Sequence, residues 1–201
     1  MKYLVYKILK YSLKPFYRLI FWPKYVGVNN IPSTGPFVMA GNHTSAADAA
    51  VIVSTPKRII HTLSKKELFN TKFKNWFFRN MACIPVDRSI HDENAKSEAI
   101  ETLKEGHAVG IFPEGTRNRT IGTKDEVSLL PFKPGAVKFA LASGAPLLPF
   151  AVTGKHRIFR KGLKIEYGKP YYPKTNDVEK ETEVLRNKIL KLKEGGSQHE
   201  K

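Results

Sequence analysis

The sequence predicts an α/β fold: a single domain with a mixed, mostly parallel central sheet flanked by helices, preceded by an N-terminal amphipathic helical segment. Two observations predict it. Short apolar runs of strand length alternate with stretches of helical period, the pattern of strand–helix–strand units. Each apolar run also hands over to a charged or polar motif, which collects those motifs at one end of the sheet, where such folds hold ligands. No internal repeat interrupts the pattern, and 201 residues are enough for one substantial core.

Residues 2–22 read as one or two amphipathic helices, with Pro15 kinking the segment or starting its second half. Lys7, Lys10, Lys14 and Arg18 recur at intervals of three and four, forming one basic stripe beside a broad apolar and aromatic face. That combination suits a helix lying in a membrane interface, its lysine stems reaching toward anionic headgroups. The alternative is a helix packed on the domain with a solvated basic edge. Residues 1–24 are therefore expected to associate with a membrane, residues 25–194 to form the domain, and residues 195–201 to be a disordered tail.

Residues 25–35 are a connector with turn signals at Asn29-Asn30 and Pro32-Ser33-Thr34-Gly35. A buried strand follows at 36–40, a helix at 46–55 and a short strand at 58–63. Between 64 and 82, basic residues interleave with Phe69, Phe73, Trp76 and Phe77 at helical spacing. This is the face of a helix, and it serves either core packing or a wall for a lipid chain. A strand at 83–86 leads to Asp87-Arg88, a helix at 91–105 ends at Gly106, and a strand at 108–112 reaches a second charged motif. Residues 118–130 are polar and expected to form a mobile loop. The remaining elements are a helix at 136–142, strands at 147–152 and 163–167, and an amphipathic helix at 176–193.

The formal net charge of +16 calls for an anionic partner. No acidic residue precedes Asp48, so the charge concentrates at the N-terminus. The single cysteine, Cys83, excludes an internal disulfide framework and a cysteine-rich metal site. The start of the chain has neither the form of a secretory signal nor the roughly 18 uninterrupted apolar residues of a spanning helix.

Two motifs carry the chemistry. In Asn42-His43-Thr44-Ser45-Ala46-Ala47-Asp48, a histidine and a carboxylate stand five residues apart where a strand meets a helix. The turn must fold Asp48 back under the imidazole, where it can orient His43 to take a proton from an alcohol. The second motif, Phe112-Pro113-Glu114-Gly115-Thr116-Arg117, ends a strand in a tight turn. Gly115 allows close backbone approach to a ligand, Thr116 offers a hydroxyl, and Arg117 a planar fork suited to phosphate. Arg88 and Lys133 are further phosphate ligands at neighbouring strand and helix ends, and Glu114 either binds an acceptor hydroxyl or braces an arginine. Walker-type and GxGxxG loops are absent, as is a GxSxG elbow. His61, His91, His107, His156 and His199 lack metal-type spacing and read as incidental.

NHTSAAD, IPVDR, FPEGTRN, the FKPG segment and APLLPFAV, in this order, resemble the glycerolipid acyltransferase family, most closely the bacterial 1-acylglycerol-3-phosphate acyltransferases. The resemblance covers residues 36–152. It implies transfer of an acyl group from acyl-CoA or acyl carrier protein to the sn-2 hydroxyl of lysophosphatidic acid, giving phosphatidic acid. The family's histidine and aspartate match His43 and Asp48, its second-block arginine Arg88, its third block Glu114, Gly115, Thr116 and Arg117, and its fourth-block proline Pro149. Asn118 stands where a serine is usual. Direct transfer needs no metal and no cofactor, and no nucleic-acid partner is expected. The expected location is the cell membrane, peripheral or monotopic on the cytoplasmic face. The competing readings are a lysophospholipid acyltransferase for another headgroup and a non-catalytic module that binds anionic lipid or nucleic acid.

Overall fold

In the computed structural model, which describes residues 3–54, 57–90, 92–121, 128–159 and 161–197, the middle of the sheet is built from strands that meet water on neither face. β2 (Phe37–Gly41) is buried at every position. Its side chains still alternate: Phe37 and Met39 enter one core, Val38 and Ala40 another. A sheet covered by helices on both faces produces this pattern. Gly41 ends β2 because a Cβ there would lie 2.5 Å from the Phe150 ring.

β5 (Ala108–Ile111) and β6 (Leu147–Thr153) flank β2, both parallel to it. β3 (Ile60–Lys65) pairs in parallel with β5, and β4 (Cys83–Val86) in parallel with β3. β7 (Lys164–Tyr167) turns back antiparallel against β6, and β1 (Lys24–Val26) pairs with β7. The order among the described residues is β1-β7-β6-β2-β5-β3-β4. The sheet is thus mixed and mostly parallel, as expected, and the C-terminal ends of five parallel strands share one edge.

α4 (Glu93–Lys104), α5 (Gly135–Ser143) and α6 (Val178–Ser197) cover the face that carries Val38, through Ala99, Leu103, Val137, Leu185 and Ile189. α1 (Leu4–Phe21) and α2 (Asp48–Ser54) cover the other face, where Tyr17, Val51 and Ile52 meet Phe37, Met39 and Phe150. α3 (Lys72–Asn80) packs beside α1 and β4. Asp92 caps α4 by accepting the Ala95 N–H at 3.0 Å, a contact worth about 1 kcal/mol.

The N-terminal segment is the first of its two expected forms, one helix, α1, running through Pro15. Several elements differ from expectation. The basic stripe of α1 does not all face outward: Lys10 is buried, with Nζ donating to the Arg58 carbonyl at 3.1 Å. Burial, with the neighbouring Lys14 charge, lowers Lys10 to about 8. The exposed face is mixed: Leu4, Ile8, Tyr11, Phe16 and Leu19 point outward beside Lys7 and Arg18.

β1 straddles the expected boundary between the N-terminal segment and the connector, too short at three residues to show an alternating pattern. Phe69 belongs to a 3-10 turn before α3, and α3 buries no residue, so its aromatics do not pack a core. α6 continues to Ser197, past the start expected for the tail, because Gly195 and Gly196 weaken a helix without removing a backbone donor. Residues 122–127 of the expected mobile loop and 198–201 of the tail lie outside the described residues. The loop's described ends are held: Leu129 is buried, and Leu130 donates its N–H to Glu114.

Candidate active site

β2 delivers Asn42 and His43 to the strand-end edge of the sheet. Asn42 is buried there and continues the pairing with side-chain atoms: its amide donates to the Val152 carbonyl at 2.9 Å and accepts the Val152 N–H at 2.7 Å. The next residue is thereby fixed against β6. The His43 N–H donates to Glu114 Oε1 at 2.8 Å, and the His43 carbonyl accepts the Asn118 N–H at 2.7 Å. Its ring stacks on Phe112, with centroids 4.1 Å apart and planes 14° from parallel. Backbone and ring plane are both determined before any substrate arrives.

Asp48 opens α2 and is folded back to the imidazole. His43 Nδ1 lies 3.0 Å from Asp48 Oδ2. The same oxygen accepts the Thr44 N–H at 2.6 Å and the Ser45 N–H at 2.8 Å. A carboxylate oxygen can only accept, so the proton of His43 sits on Nδ1 and leaves Nε2 bare. Asp48 is fully buried, whereas 17% of the His43 side chain is exposed. An imidazole open on one side, with a bare nitrogen there, can remove a proton from a bound hydroxyl.

Glu114 has a structural task visible in the fold. It is buried, and its two oxygens are taken by backbone donors, the N–H of His43 and that of Leu130 at 2.9 Å. Burial pushes its carboxyl above the ordinary carboxylate range, and those two N–H groups pull the other way. The side chain thereby ties the turn to the His43 backbone and to the segment at Leu130.

Three of the expected phosphate groups converge. Arg88, Gly115 and Lys133 line one cavity of about 300 Å³, beside Phe112, Pro113 and Ile111. Arg88 donates to the Gly115 carbonyl at 2.8 Å, and the Lys133 side chain passes close over Gly115. Gly115 has φ +68°, a conformation that disfavours any other residue, and a Cβ there would lie 3.0 Å from Lys133. Phe112 joins the halves of the site, since one residue both stacks on His43 and lines the cation-rimmed cavity. Thr116 and Arg117 are exposed on the same turn, one step before the Asn118 tether to His43. Pro149 lies in β6 near Gly168 and Leu192, on a packing surface rather than at the cavity. Among the described residues no group of three or more His, Cys, Asp or Glu side chains is placed to hold a metal ion.

Sequence reasoning missed His156. It follows β6, is nearly buried, and sets Nε2 3.6 Å from Asp48 Oδ1. No spacing signal announced it, because the contact forms only when the sheet brings β6 beside β2.

A family model described as Acyltransferase matches residues 23–153. The 1-acyl-sn-glycerol-3-phosphate acyltransferase of Bacillus subtilis (strain 168) is 33% identical over 200 residues, covering 94% of this chain and 96% of that protein. Its counterpart in Borreliella burgdorferi is 32% identical over 178 residues, covering 82% and 69%. Among solved structures, the 1-acyl-sn-glycerophosphate (LPA) acyltransferase PlsC from Thermotoga maritima matches with a TM-score of 0.71 at 24% identity, covering 96% of this chain and 80% of that one. At that identity the likeness is one of fold. The described site residues from His43 to Lys133 lie within the family match, while α1 and His156 fall outside it.

Proposed function

The chain belongs to the acyltransferase family, and on that premise we propose that it transfers a fatty acyl group from a thioester, acyl-CoA or acyl carrier protein, to the sn-2 hydroxyl of lysophosphatidic acid, forming phosphatidic acid. The observation that carries this reading is the His43–Asp48 pair, with its outward Nε2, beside a cavity rimmed by Arg88 and Lys133.

In this mechanism His43 Nε2 takes the hydroxyl proton as the acceptor oxygen attacks the thioester carbonyl. Asp48 stabilises the imidazolium through Nδ1–H. The tetrahedral intermediate collapses as the carbon–sulfur bond breaks, and the leaving thiolate recovers the proton from Nε2 as a thiol. A general base of this type contributes about 10²–10⁴ in rate. Arg88, Lys133 and Arg117 grip the acceptor phosphate and hold its hydroxyl at the base, which adds rate by proximity.

Attachment to the bilayer is peripheral or monotopic, through the outward apolar face of α1 and the neighbouring Phe73 and Trp76 of α3. Among the described residues, no helix is long and apolar enough to cross a membrane. The large basic excess supports an anionic leaflet, the cytoplasmic one, as the surface.

Purified protein mixed with lysophosphatidic acid and each thioester donor in turn, with products read by mass, tests the reading. Phosphatidic acid should form with at least one donor and disappear in His43→Ala. Formation at the wild-type rate by that variant defeats the mechanism, and no product from either donor defeats the assignment.

A further inference from the structure

We propose that His156 is a positioning residue for the base: it stands against the second oxygen of Asp48 and, held there by Tyr17 of α1, fixes the carboxylate that orients His43. This rests on the His43–Asp48 assignment above and adds to it a residue that neither the sequence motifs nor the family match contains.

The two oxygens of Asp48 have unequal surroundings. Oδ2 accepts from His43, Thr44 and Ser45. Oδ1 is buried with no hydrogen-bond partner within reach among the described residues. An unpaired carboxylate oxygen in a dry interior is costly, so what faces it matters. The polar atom set against it is His156 Nε2, at 3.6 Å. That nitrogen also lies 2.9 Å from the Tyr17 hydroxyl. The imidazole is 7% exposed, and the Phe21 ring meets it edge-on at 5.3 Å and 83°. Its place is therefore set by α1 on one side and α2 on the other.

Nε2 looks at two oxygens, Tyr17 Oη and Asp48 Oδ1. A bare nitrogen would aim its lone pair at a carboxylate. A proton on Nε2 instead lies between the two oxygens and opposes the negative charge of Oδ1. Burial lowers the basicity of His156, partly opposed by Asp48, and it pushes the Tyr17 hydroxyl up, so both groups favour their neutral forms. The titratable groups facing His156 are Tyr17 from α1 and Asp48 from α2, with His43 beyond Asp48, while Lys155 and Arg157 on its own loop are exposed.

The consequence is orientational. A carboxylate held through one oxygen can swing about its last torsion and draw that oxygen off the imidazole. With His156 against Oδ1 that rotation breaks a second contact, so Oδ2 stays on Nδ1 of His43 and the base keeps its tautomer. Tyr17 belongs to the helix whose opposite face is apolar and exposed, so the seating of α1 on the domain and the alignment of the base share one side chain.

The experiment compares His156→Ala, His156→Gln, Tyr17→Phe, His43→Ala and the double variant His43→Ala/His156→Ala in the acyl-transfer assay with lysophosphatidic acid. His156→Ala should lower kcat about 10-fold, the low end for partners that orient a histidine, with acceptor KM unchanged within about twofold. His156→Gln, whose amide nitrogen can occupy the place of Nε2, should recover kcat to within about threefold of wild type. Tyr17→Phe, which removes one hydroxyl and the His156 hydrogen bond, should lower kcat about threefold and the melting temperature by about 2–4 °C. The double variant should be no slower than His43→Ala, since His156 acts only through that base.

Wild-type kcat in His156→Ala overturns the proposal, as do equal losses in the Ala and Gln variants that follow their melting temperatures. If His156→Ala does not fold, unchanged kcat in Tyr17→Phe together with a slow Gln variant overturns it. An active His43→Ala defeats the base assignment itself, whereas an inactive His43→Ala beside a normal His156→Ala defeats only the role of His156.

Discussion

Asn118 donates its backbone N–H to the carbonyl of His43 at 2.7 Å, while Glu114 accepts the N–H of the same residue at 2.8 Å. The histidine is thus held at both ends of its backbone by one loop, the loop that also carries Gly115, Thr116 and Arg117. His43 and the cation-bearing turn form one unit because each supplies the other's missing hydrogen bonds. That arrangement also explains a buried carboxylate so near a cationic cavity: Glu114 is a brace.

Glu114→Ala should therefore harm stability and activity together. It leaves the N–H groups of His43 and Leu130 unpaired, and each buried orphan donor costs about 1–3 kcal/mol. Urea unfolding should show a loss of about 2–6 kcal/mol, with kcat reduced and acceptor KM nearly unchanged. A loss under about 1 kcal/mol, or an effect confined to acceptor KM, would restore a substrate-binding role for this residue.

The two exposed arginines should separate kinetically. Arg117 has no hydrogen bond or ion pair to a described residue, whereas Arg88 donates to the Gly115 carbonyl. A charge-assisted contact to phosphate is worth about 1.5–3 kcal/mol. Arg117→Ala should raise the acceptor KM about 10- to 100-fold with little change in kcat. Arg88→Ala loses the turn contact as well, so kcat should fall along with affinity. Identical profiles for the two variants, or an unchanged acceptor KM in both, would contradict the phosphate assignment.

Much of this was legible in the sequence, for definite physical reasons. β2, β5 and β6 are buried on both faces, so they appear as unbroken apolar runs, and the motifs at their ends mark the edge where the site forms. The His43–Asp48 contact is local, set by a turn of five residues. What escaped notice is contact between distant segments. His156 reaches Asp48 only through the pairing of β6 with β2. Glu114 looks like a ligand group until the partners of its oxygens are known. The orientation of α1 was also hidden: Tyr6, Tyr17 and Lys10 turn toward the domain, while Leu4, Ile8, Phe16 and Leu19 turn outward. Periodicity finds the faces of a helix without saying which of them the protein covers.

His156 gives a pH signature independent of catalysis. Burial lowers its folded-state pKa below the ordinary value of 6.5. The unfolded chain therefore binds this proton more readily than the folded one. The stabilisation is present above about pH 6.5 and is lost as the pH falls through the lower, folded value. Melting temperatures of wild type and His156→Gln, measured between about pH 5 and 8, should diverge only on the acid side, with wild type losing more. The raised Glu114 carboxyl is common to both proteins and cancels in the difference. Parallel curves would mean that His156 titrates as it does in the unfolded chain.

The membrane face can be tested with fluorophores the chain already carries. Its two tryptophans are Trp22, just past the end of α1, and Trp76 on α3, and they are 48% and 54% exposed. Both should move from water to the interface when the apolar face of α1 meets a bilayer, shifting emission to the blue. Covering one large apolar side chain contributes about 1.5–3 kcal/mol, and each 1.4 kcal/mol is about tenfold in affinity. Replacing Ile8 and Leu19, both outward on α1, by glutamate should weaken binding to anionic vesicles by at least about 100-fold. Salt should weaken it further by screening the basic residues. The same variant should keep its melting temperature, because neither side chain packs on the domain. An unshifted spectrum with anionic vesicles, or equal binding by the glutamate variant, would mean that this face meets something other than a lipid surface.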